Sequence, residues 1–188
     1  DPNYATPEHG NALTVASASG HEKVGLFLLG KGADPNSPDD HGVTALHYTM
    51  AQGLSLVNSL NYDDPYRMVP NNLTELAKAL LDKGADPNAS DQGWTAGHQL
   101  VWARRPNLGF TNPAPIPTGL VSDLNFVEAL AVHGADLDAR ETKEPRGADG
   151  SGTGGGYRNV QNRVGATPFL LAAKAVDVEL MELLVQLG

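Results

Sequence analysis

The sequence predicts an all-α solenoid of four helix-turn-helix repeats, with β-turn fingers between them and three long loop insertions. Three observations predict it. Gly84-Ala85-Asp86-Pro87-Asn88 repeats Gly32-Ala33-Asp34-Pro35-Asn36 letter for letter, and Gly134-Ala135-Asp136-Leu137-Asp138 repeats it with two changes. Each copy follows an apolar helical run, and a Gly there suits the position just past a helix, where φ > 0 carries no Cβ penalty. About ten residues beyond each of the first two copies, a short polar residue opens a second helical pattern, Thr44-Ala45-Leu46-His47 and Thr95-Ala96-Gly97-His98.

Together these landmarks resemble the ankyrin repeat, a β-turn finger and two antiparallel helices recurring at about 33 residues with a T-P-L-H signature. Asn11-Ala12-Leu13-Thr14 begins 33 residues before Thr44, one full period. Elsewhere insertions stretch the period. The resulting division is a single domain, 1–188, with repeats at 4–36, 37–88, 89–138 and 139–188 and insertions at 54–72, 105–122 and 141–162. Asp1-Pro2-Asn3 reads as the tail of one motif copy and Leu187-Gly188 as the head of another, so the chain is expected to be a segment of a longer array.

In the first repeat, Asn11 caps a helix over 12–19, and Gly20-His21 turns the chain into a second over 22–30. An Asn or Thr at such a place accepts a hydrogen bond from a backbone N–H of the first turn. Thr44, Thr95 and Thr167 repeat the device, with Pro168 following Thr167 at the first helical position, where proline is well tolerated. The first helix of repeat two is expected to reach about Gln52, and that of repeat three about Arg105. Their partners come late, one capped by Asn72 and holding Leu76 to Leu81, the other running from Leu124 to Leu130. Pro106, Pro113, Pro115 and Pro117 exclude a helix between the two in repeat three. In repeat four, Asp177 caps the final helix, 178–187.

Composition removes several function classes. The chain has no Cys and a formal charge of -9, which argues against nucleic acid, because duplex binding relies on a basic footprint to release counterions. No run of 18 apolar residues spans a membrane. Gly150-Ser151-Gly152-Thr153-Gly154-Gly155 fits G-x-G-x-x-G, but the strand and helix that a dinucleotide site needs are missing from its flanks, and the stretch reads as a flexible linker. Asp39-Asp40 and Asp63-Asp64 are too few oxygens for a calcium loop and read as solvated turns. No metal site and no cofactor is expected.

Gly97 departs from the pattern, standing where Leu13 and Leu46 stand in the earlier repeats. It leaves a gap that Leu108 or Phe110 of the neighbouring insertion is expected to fill. His47 and His98 take, by the resemblance, the structural role of a histidine bonded to nearby backbone. The resemblance also implies a non-catalytic module that binds a protein or peptide partner through a concave groove walled by the insertions. The expected contacts are Trp94, Trp102, His41, Asp40, Gln92, Gln52, Tyr48 and Arg163. Trp94 and Trp102 are the only tryptophans, and the competing reading is that the insertions cover both rings. Two alternatives remain. One is a structural array stacking head to tail, because the last repeat is expected to present Phe169, Leu171 and the apolar side of 178–187 to water. The other is an enzyme or small-ligand site built by the insertions from His98, Arg104, Arg105 or Asp63.

Overall fold

Capping residues set where the helices begin. The computed structural model describes residues 1–50, 71–104, 116–117, 121–143 and 164–188, with backbone alone at 71–72, 102–103 and 116–117. Among the described residues the helices are α1 (Ala12–Ala18), α2 (Glu22–Gly30), α3 (Ala45–Tyr48), α4 (Thr74–Asp82), α5 (Ala96–Arg104), α6 (Asp123–Val132), α7 (Pro168–Lys174) and α8 (Val178–Leu187). Asn11 Oδ1 accepts from Thr14 N at 3.0 Å, and Thr167 Oγ1 from Leu170 N at 3.3 Å. Asp177 Oδ1 accepts from Leu180 N at 3.2 Å.

Three boundaries differ from the sequence reading. Asn72 does not cap α4. Its backbone runs in a parallel ladder that pairs β3 (Asn71–Asn72) with β4 (Ile116–Pro117), and Leu73 stands at the cap position with no hydrogen-bonding side chain to offer. The amide of Leu76 instead donates to Glu22 Oε2 at 3.3 Å, a cap supplied by the preceding repeat. Ser122 caps α6 by accepting from Asn125 N at 3.1 Å, so that helix starts ahead of Leu124. α3 ends at Tyr48 because Thr49 Oγ1 donates to the Leu46 carbonyl at 2.6 Å and Met50 N to that of His47 at 3.1 Å. Gln52 and residues 51–70 lie outside the described residues.

Gly, Ala, Asp and Asn of the Gly-Ala-Asp-Pro-Asn motif each have a place. Gly32, Gly84 and Gly134 adopt φ of +84°, +89° and +84°, where a Cβ would be strained. The amide of each next residue returns to the last turn, Ala33 N to Leu28 O at 3.0 Å and Ala85 N to Leu80 O at 2.9 Å, closing a Schellman end. The aspartate accepts from the amide two residues on, as in Asn88 N to Asp86 Oδ1 at 2.8 Å. The asparagine then bridges to the next copy. Asn36 donates to Gly84 O at 2.9 Å and accepts from Asp86 N at 2.7 Å, and Asn88 does the same to Gly134 O and Asp136 N at 2.9 and 2.7 Å. Asn3 makes the corresponding pair to Gly32 O and Asp34 N at 3.1 and 2.7 Å.

The helices form two rows, α1, α3, α5 and α7 in one and α2, α4, α6 and α8 in the other, with successive members touching. Leu13, Leu46, Leu76, Leu80, Leu100, Phe126, Leu130 and Leu180 are fully buried between and along them. Successive repeats approach closely at Gly25 of α2, where an added Cβ would lie 2.6 Å from Leu76 Cδ2 of α4. Among the described residues a Cβ on Gly97 would lie 3.4 Å from Thr95 Oγ1 and 3.8 Å from Pro168 Cγ of α7, while Leu108 and Phe110, expected to fill this gap, lie outside the described residues. That spacing is ordinary contact and admits a methyl group.

Two stability outcomes follow. Gly97→Ala raises the unfolding free energy by about 0.5 to 1 kcal/mol by restricting the unfolded chain, measured by urea denaturation. Asn88→Ala lowers it by about 1 to 2 kcal/mol, two solvent-competed hydrogen bonds, whereas an unchanged midpoint would mean that water replaces the bridge at no cost.

Candidate functional site

The expected contact residues fall into two sets. Asp40 and His41 stand on the finger before α3, paired at 3.3 Å with side chains about half and one-third exposed (49% and 34%). Tyr48, Gln92 and Trp94 are buried beneath, at 6%, 7% and 8% exposure. They were expected to line an open groove. Each is covered because its polar atom pairs inward: Tyr48 Oη donates to Asp39 Oδ2 at 2.5 Å, Trp94 Nε1 donates to Gln99 Oε1 at 3.1 Å, and Gln92 Nε2 donates to the Trp94 carbonyl. Gln52 and Arg163 lie outside the described residues, and Trp102 is described only as backbone within α5.

Glycines bring the fingers together. A Cβ on Gly42 would lie 2.6 Å from Asp91 Cβ and 3.2 Å from Gln92 N, so the second finger packs directly on the third. Gly93, at φ +114°, is approached in turn by Lys143, whose Nζ donates to Asp91 O at 2.7 Å. Thr142 N donates to Gly93 O at 2.8 Å, while Glu141 N and O bond to Ala166 O and Gly165 N at 2.9 and 2.7 Å, tying the last finger to the body.

The two signature histidines link repeats. Thr44 N donates to His47 Nδ1 at 3.3 Å, which leaves Nε2 to donate to the Ala89 carbonyl at 3.1 Å. His98 repeats this with Thr95 N at 3.2 Å and the Ala166 carbonyl at 3.1 Å. The Gln92 amide also lies against His47 Nε2. Among the described residues, Gln92 Oε1 and Gln99 Nε2 are buried without a hydrogen-bond partner. Burial pushes the His47 imidazole down to about 4 against the pull of its backbone bonds. Burial, then the bond to Asp39, pushes the Tyr48 hydroxyl up. Both groups are thereby held neutral.

Residues proposed for chemistry are also committed elsewhere. Arg104 Nε reaches Asp177 Oδ2 at 2.8 Å and its Nη2 reaches Glu179 Oε2 at 3.1 Å, joining the end of α5 to the start of α8. Burial would lower the Arg104 guanidinium, but these bonds outweigh it and hold it above its ordinary range. Arg105 and Asp63 lie outside the described residues. Among the described residues no group of three or more His, Cys, Asp or Glu is arranged to hold a metal ion, and no helix is long and apolar enough to cross a membrane. Asp39 and Gln99 were missed as members of the buried cluster. The available signal was positional: Gln99 follows His98 as Tyr48 follows His47.

Comparison with known families bears on the same stretch. A profile described as ankyrin repeats (many copies) matches residues 13–53, and one described as ankyrin repeat matches residues 41–92. No curated protein matches the chain.

His47 makes stability depend on pH with a defined sign. The folded protein binds this proton at about pH 4 and the unfolded chain at the ordinary 6.5. Stability is therefore full above pH 6.5, falls as the unfolded state protonates first, and levels below pH 4, a loss of about 3 kcal/mol at most. Subtracting the pH profile of His47→Asn from that of the parent isolates this segment, and parallel profiles between pH 4 and 6.5 would contradict it.

Proposed function

We propose, on the match of residues 13–92 to ankyrin-repeat profiles, that the chain binds a protein or peptide partner along its row of fingers and contributes no chemistry of its own. Ankyrin repeats are in general protein-protein interaction modules. The observation that carries the finer reading is the stacked finger row, in which Gly42 and Gly93 let consecutive fingers pack backbone to backbone. Such packing gives a preorganised edge, and preorganisation reduces the ordering cost of binding. Asp40 and His41 stand on that edge with their polar atoms accessible. Tyr48, Gln92 and Trp94 act as its support, holding the fingers from beneath. Gln52, Trp102 and Arg163 complete the proposed contact set.

A site built from His98 and Arg104 finds less support, since both are already engaged by backbone or carboxylate partners.

The test is a partner isolated by affinity capture with the chain as bait and measured by calorimetry. Asp40→Ala with His41→Ala weakens binding about tenfold or more, or ~1.4 kcal/mol, and leaves thermal unfolding unchanged. Trp102→Ala weakens it by about 2 kcal/mol. Trp94→Ala instead lowers folding stability by about 3 to 5 kcal/mol. Unaltered affinity in the first two variants would overturn the finger-row reading.

A further inference from the structure

The second and third fingers share one turn and are supported differently beneath it. In each, the amide of a left-handed glycine donates to the carbonyl three residues before, Gly42 N to Asp39 O at 3.1 Å and Gly93 N to Ser90 O at 2.7 Å. Six residues after that glycine stand Tyr48 and Gln99, both buried. Leu171 takes this place in repeat four. It was expected to face water, but it lies in the core at 8% exposure, because the position turns inward in each of these repeats.

What differs is the residue that each buried side chain holds. Tyr48 Oη donates back to Asp39 Oδ2 at 2.5 Å. The other oxygen of that carboxylate accepts from two amides, His41 N and Val43 N, both at 2.9 Å. Asp39 N also donates to Val43 O at 3.0 Å, so one residue closes the whole turn from 39 to 43. Ser90 stands at the corresponding place in finger three and has no carboxylate with which to do the same. There Gln99 holds the Trp94 ring, and Gln92 turns in onto the Trp94 carbonyl. His41, at the place of Gln92, keeps its side chain one-third exposed beside Asp40.

Three donors on one carboxylate make charge-assisted bonds, which are stronger than neutral ones. Burial, then the bond to Asp39, pushes the Tyr48 hydroxyl up, so it keeps its proton and remains a donor. The anchor is a residue of α3, which fastens the turn to the body of the repeat and not only to itself.

We propose that Asp39 and Tyr48 are positioning residues, a latch that holds finger two to α3 and fixes Asp40 and His41 in one outward presentation. The inference rests on the finger-row reading of partner binding, in which a contact fixed in advance reduces the ordering cost. It makes finger two, and not finger three, the one whose tip is set before a partner arrives.

Native-state hydrogen exchange, read amide by amide on the full chain, tests the latch with two variants. Tyr48→Phe keeps the ring and removes the hydroxyl, and Asp39→Ser gives finger two the residue type of finger three. Each variant speeds exchange at His41 and Val43 about tenfold or more, the scale of a lost hydrogen bond to a charged group. Exchange at Gly93 of finger three and at Ala85 beyond α4 stays as in the parent. In the Asp39→Ser background Tyr48→Phe adds nothing, because the hydroxyl acts only through the carboxylate. Unchanged exchange at His41 and Val43 in Tyr48→Phe overturns the proposal. So does equal acceleration at all four amides, which a general loss of stability produces, or an additive effect in the double variant. The measurement needs no partner, so its failure is separate from that of the binding reading, which the affinity of the Asp40→Ala, His41→Ala variant decides.

Discussion

No repeat in this chain has enough apolar surface facing itself to form a core, so each depends on its neighbour for burial. The constraint appears most directly at Gly25, which has no side chain because Leu76 of the next repeat occupies that volume. It appears again where α4 takes its cap from Glu22 of the preceding repeat. Stability in such an array is a sum of weak units and favourable interfaces. Polar links then set the register that the apolar contacts alone leave free to slide. The asparagine bridges do this on one edge, and the histidine bonds to Ala89 and Ala166 do it beneath the fingers. Asp138 stands where the next bridging asparagine would be, and its carboxylate has no N–H to offer Gly188.

That mutual dependence explains which features were legible in the sequence. Features needed once per repeat recur and can be counted: the left-handed glycines, the Thr caps, the signature histidines. Asp177 as a cap and Gly32, Gly84 and Gly134 as helix ends were readable from local chemistry alone. Features that arise between repeats were not. Asn72 looked like a cap because Glu75 stands three residues on, but a ladder to Pro117 claims its backbone and a distant glutamate does the capping. Beside Gly97, among the described residues, stands Pro168, some 70 residues away.

The candidate site shows the same division. Asp40 and His41, expected as partner contacts, keep side chains about half and one-third exposed on their finger. Tyr48, Gln92 and Trp94 were identified by position as facing a groove, yet their hydroxyl, amide and indole groups found partners inside. Aromatic and amide side chains with a polar end bury readily when that end is satisfied. Gln92 Oε1 and Gln99 Nε2 show that the cluster is incompletely paired among the described residues. A buried group left unpaired costs about 1 to 3 kcal/mol, which keeps the tissue of contacts beneath the fingers from being purely a stabilising one.

Native-state hydrogen exchange tests the central claim, that burial between neighbours holds each repeat folded. The amides of Ala85 and Ala135, which close the ends of α4 and α6, lie in repeats with a neighbour on both sides. That of Ala33, which closes α2, lies in the repeat whose Gly25 receives Leu76 of the next. The account predicts that Leu76→Ala, which empties that contact, lowers protection at Ala33 as well as at Ala85. Protection lost at Ala85 with Ala33 unchanged would contradict it.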